Sequence, residues 1–168
     1  MTIVFAGGSR AVSRLNSTIR DQIDALIAKN CAFVIGDAGG ADKAVQQHLA
    51  ERKYPHVTVF CTGDCRNNVG NWTVRVTTPP NRKKDFAYYA AKDRAMAREA
   101  RCGLMLWDGK SRGTLENILN LLDGQKRVRV YLSPSKQLYT VSSEDELRDL
   151  IGRSGLPLAV CRQAVLPV

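Results

Sequence analysis

The chain reads CGLMLW at residues 102–107, DGKSRGT at 108–114 and LENILNLL at 115–122. The first segment is an apolar run of strand length, the second is a glycine-rich loop, and the third has apolar residues at helical spacing. This order points backbone N–H groups and the positive end of a helix dipole at whatever lies above the loop. Lys110 and Arg112 add positive charge, so we interpret the loop as one wall of a phosphate-binding site. The alternative is an ordinary turn with a threonine near the helix start.

The same alternation of apolar runs and helical patterns continues on both sides of this stretch. Strands are predicted at residues 3–6, 31–36, 57–61, 72–76, 103–107, 128–132 and 138–141. Helices are predicted at residues 15–29, 41–52, 86–100 and 114–122. Near-continuous apolar strands that alternate with helices are typical of a parallel sheet covered on both faces. We therefore predict an α/β, Rossmann-like three-layer fold with a mostly parallel central sheet and helices on both faces.

The end of the chain is expected to form a small C-terminal appendage. We expect residues 1–132 to form the main domain and residues 133–168 to form an appendage packed on the same domain. A Ser-x-x-Glu capping box at residues 143–146 predicts a helix there. The apolar tail at residues 156–168 suggests a cover for a sheet edge or for a neighbouring subunit.

Composition limits the class of protein. The 168 residues are 44% apolar and 24% charged, as is usual for a soluble globular domain. No stretch approaches the roughly 20 apolar residues of a membrane-spanning helix, and the N-terminus does not resemble a signal peptide. The five cysteines are scattered, which favours a reduced, cytoplasmic protein. Cys61 and Cys65 lack a second pair of ligands at metal-site spacing, so we expect no metal.

Positive charge is concentrated in one part of the chain. The formal net charge is +9, and residues 66–112 contain eleven basic and four acidic side chains. A surface of this charge attracts anions such as a nucleotide or a nucleic-acid backbone. The alternative is a solvated basic surface that only aids solubility.

Four loops that follow predicted strands are rich in glycine and polar side chains. They are GGSR at residues 7–10, GDAGGADK at 36–43, GDCRNNVGNW at 63–72 and the loop at 108–114. Loops that follow parallel strands meet at one edge of the sheet, where ligands bind, so we predict a small-molecule anion site there. The expected ligand-binding residues are Gly7, Gly8, Ser9, Arg10, Asp37, Gly39, Gly40, Asp42, Lys43, Arg66, Asn68, Trp72, Asp93, Arg94, Lys110, Ser111, Gly113 and Thr114.

The first loop suits a phosphate. Gly7 and Gly8 allow the backbone to approach a ligand closely. Ser9 and Arg10 carry groups that bind phosphate oxygens. A surface ion pair is the alternative role for Arg10.

The second and third loops suit a sugar and a base. Asp37 and Asp42 would repel a phosphate and better suit ribose hydroxyls, although Asp42 also suits capping of the following helix. Asn68 offers a donor and an acceptor to a base edge. Trp72 has the surface to stack on a base, and a position in the core is the stronger alternative.

The helix pattern at residues 86–100 contains an acid on its apolar face. Asp93 has no basic residue three or four positions away with which to pair. Because an unpaired buried charge is costly, we expect Asp93 to pair with Arg10 or Arg112, or to face the ligand pocket. Its neighbour Arg94 is the other candidate to reach the site.

Taken together, four motifs resemble the SLOG superfamily, which includes the DprA/SMF proteins and the LOG enzymes, close to its YspA-like branch. They are AGGSR at residues 6–10, GDAGGAD at 36–42, KDR at 92–94 and GT at 113–114. The resemblance covers roughly residues 1–132. It implies a Rossmann-like fold that binds nucleotides or nucleotide-derived ligands across these loops. Among the relatives, LOG phosphoribohydrolases cleave the N-glycosidic bond of nucleoside monophosphates, and the deoxyribosyltransferases look similar; both use a glutamate.

This chain departs from the resemblance at that glutamate. Asn117 stands at the expected position, and Glu116 lies one residue earlier, about 100° around a helix. An amide cannot act as a general acid or a nucleophile as a carboxylate does, so the departure favours binding or sensing without catalysis. In the enzymatic alternative, the protein is a phosphoribohydrolase or a ribosyltransferase. One of three acids would then replace the usual glutamate: Glu116, Asp108 or Asp93.

The sequence thus favours a cytoplasmic nucleotide-binding protein whose ligand is a nucleoside phosphate or an ADP-ribose-like molecule. No further cofactor is required beyond such a nucleotide or phosphate, and no membrane partner is expected. The apolar tail suggests a homodimer, and the resemblance to families that form homodimers suggests the same. A nucleic-acid-binding module that uses the basic residues of the 66–112 segment is the third hypothesis.

Overall fold

The computed structural model describes residues 1–155, and these residues form seven strands and five helices. The strands are β1 (Ile3–Gly8), β2 (Ala32–Gly36), β3 (Val57–Thr62), β4 (Thr73–Thr77), β5 (Cys102–Trp107), β6 (Arg127–Leu132) and β7 (Gln137–Val141). The helices are α1 (Ser17–Ala28), α2 (Ala41–Glu51), α3 (Phe86–Glu99), α4 (Arg112–Asp123) and α5 (Glu144–Arg153). In this part of the chain, no helix is both long enough and apolar enough to span a membrane.

All seven strands belong to one sheet in the order β4-β3-β2-β1-β5-β6-β7. Strands β1 to β6 are parallel, and β7 pairs with β6 in the antiparallel sense. The chain fills one side of β1 with β2, β3 and β4, and then crosses to β5 on the other side. Such a reversal opens a crevice beyond the carboxyl ends of the central strands. The predicted α/β fold with a mostly parallel sheet is confirmed.

Two apolar cores lie on opposite faces of the sheet. One face packs against α1 and α2, through residues such as Ile19 and Leu49. The other packs against α3, α4 and α5, and includes Met96, Ile118 and Leu147, which are fully buried. Because each face has its own helices, the architecture has the three predicted layers.

Capping residues explain two differences from the predicted helix bounds. Helix α1 begins at Ser17 rather than at residue 15, because the Asn16 side chain accepts a hydrogen bond from the Ile19 N–H at 3.0 Å. Helix α4 begins at Arg112 rather than at residue 114, because Ser111 is its N-cap. The start of α4 therefore lies within the predicted glycine-rich loop, close to the crevice.

The C-terminal elements share the core of the main sheet. Strand β7 extends the sheet beyond β6, and Leu147, Leu150 and Ile151 of α5 are buried in the same cluster as α4. The Ser143 hydroxyl caps α5, accepting from the Glu146 N–H at 3.2 Å. The boundary after residue 132 stays a prediction, and the apolar tail at residues 156–168 lies outside the described residues.

Candidate ligand site at the carboxyl edge of the sheet

A cavity of about 470 Å³ lies beyond the carboxyl ends of the central strands. All four predicted loops contribute to its wall, and α3 closes one side. The predicted site residues that line it are Gly8, Arg10, Asp42, Arg66, Asp93, Asp108, Ser111, Gly113 and Thr114. Its volume is within the usual range for a small-molecule site.

The Asp42 carboxylate, in the first turn of α2, lies in the wall of this cavity and is 7% exposed. It accepts hydrogen bonds from the backbone N–H groups of Gly8 and Ala38, each at 3.3 Å. The predicted capping role is wrong, because α2 is capped by Gly40 without a side-chain hydrogen bond. Asp42 instead ties the first loop to the second.

Two glycines make room for the charged groups around Asp42. A Cβ on Gly7 would lie 2.7 Å from Asp42 Oδ1, and a Cβ on Gly36 would lie 2.6 Å from Asp42 Oδ2 and 2.9 Å from Lys92 Nζ. A Cβ on Gly8 would collide with the Leu106 carbonyl. These glycines therefore accommodate other groups of the protein. Gly8 also lines the cavity, and the close approach of a ligand to Gly7 and Gly8 stays a prediction.

The expectation that Asp93 pairs with Arg10 or Arg112 is wrong. The Oδ1 atom of Asp93 accepts from Nζ of Lys92, the preceding residue, at 2.9 Å. The lysine side chain is long enough to fold back over its own helix, which a rule for residues three or four apart does not capture. Asp93 still faces the cavity, whereas Arg94 lines a separate groove between α3 and α4.

Burial and charge act together on this cluster. Burial raises the pKa of Asp42 to about 6, with the Lys92 ammonium opposing the change. Burial alone would lower the pKa of Lys92, but the negative charges of Asp93 and Asp42 outweigh it and raise the pKa. Lys92 is therefore a cation, although only 4% exposed, and it needs these carboxylates to remain buried.

Arg66 is fixed against the cavity by Asp37. The guanidinium donates to Asp37 Oδ1 at 2.8 Å and Oδ2 at 3.2 Å, and the Arg66 N–H donates to Oδ2 at 2.9 Å. Burial would raise the pKa of Asp37, but the hydrogen bonds from Arg66 keep it below the ordinary value. The guanidinium also stacks on the Tyr89 ring at 4.8 Å. Asp37 thus positions Arg66 and is not free for the sugar contact that we predicted.

A network of hydroxyl groups joins the first and fourth loops. Ser9 is 1% exposed, donates to Asp108 Oδ1 at 3.2 Å, and lies 3.0 Å from the Thr114 hydroxyl oxygen. Asp108 Oδ1 also accepts from the N–H groups of Lys110 and Ser111. Asp108 therefore shapes the loop. In a catalytic role, its carboxylate would have to share or give up these hydrogen bonds.

The first turn of α4 points into the cavity. Gly113 and Thr114 line it, and within residues 1–155 the N–H of Gly113 donates to no protein acceptor. Glu116 pairs with Arg112 at 3.3 Å and does not line the cavity, whereas Asn117 does. A catalytic role for Glu116 does not fit this position.

The remaining predicted ligand-binding residues do not line the cavity. Asn68 closes its own loop, because its side chain donates to the Trp72 carbonyl at 2.9 Å and accepts from the Trp72 N–H at 3.0 Å. The Trp72 indole donates to the Tyr54 carbonyl and packs on a core cluster, so its predicted base contact does not fit. The others outside the wall are Gly7, Ser9, Asp37, Gly39, Gly40, Lys43, Arg94 and Lys110.

Sequence reasoning missed Lys92 and Tyr89 as site residues. Lys92 follows Tyr89 by three positions and precedes Met96 by four, so helical spacing already placed it on the buried stripe. A lysine on such a stripe requires a carboxylate nearby, and Asp93 was adjacent. The adjacent Lys92 and Asp93 were therefore the signal in the sequence that could have identified Lys92 as a site residue.

One group of side chains has the composition of a metal site. Ligand atoms of Asp37, Cys61 and Cys65 lie within 4.8 Å of one another. The Asp37 carboxylate, however, is already bound by Arg66 at both oxygens. A cation there would have to displace the arginine.

Comparison with known proteins supports the fold. No protein-family model and no curated protein matches the chain. A solved structure of DNA processing protein A from Helicobacter pylori, described for its single-stranded DNA binding mode, is similar with a TM-score of 0.57 and 16% identity. The match covers 77% of this chain and 64% of that one, so the chain spans less than two thirds of that structure. Identity this low supports a DprA-like, Rossmann-like fold and nothing finer.

We predict that Gly36→Ala lowers the free energy of unfolding by about 1–3 kcal/mol, because a methyl group there would press on Asp42 and Lys92. Gly152→Ala in α5 is the matched control, since a Cβ there meets nothing within 4 Å. Urea denaturation of both variants measures the difference. Equal stabilities for the two variants would contradict the packing described here.

We predict that Asp42→Asn changes how stability depends on pH. The raised pKa means that folded Asp42 holds its proton more tightly than unfolded Asp42, so protonation stabilises the fold as the pH falls through 6. Between pH 7 and pH 4, wild type should gain about 2 kcal/mol relative to Asp42→Asn. Urea denaturation of both proteins at each pH checks this, and parallel pH profiles would show that the group titrates normally.

Proposed function

We propose that this protein binds a nucleoside phosphate in the cavity at the carboxyl edge of the sheet. The observation that carries the proposal is the convergence of a helix N-terminus, arginines and a buried lysine–carboxylate cluster on one cavity of about 470 Å³. Phosphate, sugar and base each require a different kind of wall. The cavity offers all three within one enclosure.

The phosphate is assigned to the part of the wall formed by the first turn of α4. The Gly113 N–H and the helix dipole favour an anion there, and Arg10 lines the same cavity. The carboxylates of Asp42 and Asp93 also line the cavity and would repel a phosphate placed beside them. This lining supports a ligand whose negative charge is confined to one group.

The base is assigned to the side formed by α3. Tyr89 lines the cavity, and its ring is held by the Arg66 guanidinium. A fixed aromatic ring suits stacking on a nucleobase.

We favour binding over cleavage because Asn117 occupies the wall where the SLOG resemblance leads us to expect a glutamate. An amide can orient a ligand but cannot supply a proton as an acid does. If the ligand is also cleaved, the carboxylates that line the cavity are those of Asp42, Asp93 and Asp108, rather than that of Glu116.

We expect AMP to bind wild type in isothermal titration calorimetry, and Arg10→Ala to weaken binding about tenfold through loss of a charged hydrogen bond. Arg127→Ala is the matched control, because Arg127 is exposed at the start of β6, on the opposite edge of the sheet. ADP-ribose and GMP are titrated in parallel. The proposal is abandoned if none of the three ligands binds wild type, and the assigned phosphate position is wrong if Arg10→Ala binds normally.

Binding of a single-stranded nucleic acid at the exposed start of α3 is the second candidate. Phe86 is 38% exposed and carries the Arg112 guanidinium over its ring at 4.1 Å. Arg82, Lys83 and Lys84 are exposed just before it. Exposed aromatic rings beside positive charge are the usual means of binding unpaired strands, and the similar structure is described for single-stranded DNA binding.

We expect, for this candidate, that an oligothymidylate binds at low salt and that binding weakens steeply as salt increases. Phe86→Ala should reduce its affinity at least about fivefold by removing a stacking surface. Fluorescence anisotropy measures both effects, with Val69→Ala as a control at another exposed apolar residue. If the affinity for the oligothymidylate changes neither with salt nor in Phe86→Ala, this surface is not the nucleic-acid-binding site.

A further inference from the structure

One part of the cavity wall contains a cation, Lys92, beside two carboxylates, Asp42 and Asp93. Lys92 Nζ donates to Asp93 at 2.9 Å. A Cβ on Gly36 would lie 2.9 Å from Lys92 Nζ and 2.6 Å from Asp42 Oδ2, so both atoms lie beside this glycine. An ammonium group has three N–H donors. Within the described part of the chain, Asp93 is the one hydrogen-bond acceptor of this group. A buried lysine in the wall of a cavity therefore has donors available to a ligand.

We infer that Asp42, Lys92 and Asp93 recognise the vicinal diol of a ribose. This inference rests on the nucleotide-binding function proposed above and assigns the group that gives it specificity. The three side chains present an acceptor, a donor and an acceptor to the cavity. Two neighbouring hydroxyls match this array, because each can donate to a carboxylate while accepting from the ammonium.

Other parts of a nucleotide match the array less well. A phosphate only accepts hydrogen bonds, so two carboxylates repel it. A base would have to present donor, acceptor and donor in sequence, and the Watson–Crick edges of adenine, guanine, cytosine and uracil lack that order. The diol is the nucleotide group that satisfies all three side chains at once.

Specificity for ribose over deoxyribose follows from this arrangement. Without the 2′-hydroxyl, one charged group would stay buried with no ligand partner, and such a loss is worth about a tenfold to hundredfold change in affinity. The cavity should accordingly bind deoxynucleotides more weakly than ribonucleotides. Binding of DNA would then belong to the exposed surface around Phe86.

The test is calorimetric titration of wild type with AMP, dAMP and ribose 5-phosphate. We expect AMP to bind at least about tenfold more tightly than dAMP. Asp93→Asn should reduce that ratio severalfold, because an amide is a weaker acceptor and no longer balances Lys92. Asp149→Asn, at an exposed position of α5, should leave the ratio unchanged. Ribose 5-phosphate distinguishes a nucleotide from a free sugar phosphate as the source of the diol.

The outcomes separate this inference from the proposed function. If AMP and dAMP bind wild type equally, the diol assignment is overturned while nucleotide binding stands. If neither nucleotide nor ribose 5-phosphate binds, the proposed function fails and the diol assignment fails with it. A ratio that survives in correctly folded Asp93→Asn, checked by circular dichroism, also overturns the assignment. The comparison in wild type needs no variant, so a folding defect cannot obscure it.

Discussion

The burial of the Lys92 ammonium against Asp93 and Asp42 is the interaction on which the carboxyl edge of the sheet depends. Charges removed from water are expensive unless they are paired and hydrogen-bonded. Here one cation is compensated by a carboxylate from its own helix and by another from α2. Gly7 and Gly36 leave the space that these groups occupy. Two helices and two glycines are therefore committed to a cluster that contributes little to an apolar core.

The topology of the sheet places this cluster in the same cavity as Arg10 and the N-terminus of α4, which favour an anion. Helix α4 begins just after β5, so its N-terminal turn lines the same cavity as Arg10 and the carboxylates of Asp42 and Asp93. A cavity lined in this way suits a ligand that carries both a negative charge and neutral hydroxyls. The remaining charge pair, Asp37 with Arg66, fixes Arg66 in the cavity wall.

The architecture was predictable because its signals are local. Apolar runs gave the strands, and helical spacing gave the helices to within two residues at most ends. The convergence of four polar loops followed from the rule that parallel strands end at one edge. The site was less predictable, because pairings such as Arg66 with Asp37 join residues 29 positions apart. Glycine positions were visible, but the sequence did not say whether a ligand or a carboxylate fills the space beside them. Lys92 was missed because its partner is its own neighbour, outside the usual helical spacing.

The most direct measurement is a crystal structure of this protein grown with AMP. We expect density for the phosphate at the first turn of α4 and for the ribose hydroxyls against Asp42, Lys92 and Asp93. Density for AMP outside the cavity, or with its phosphate beside the two carboxylates, would contradict this expectation.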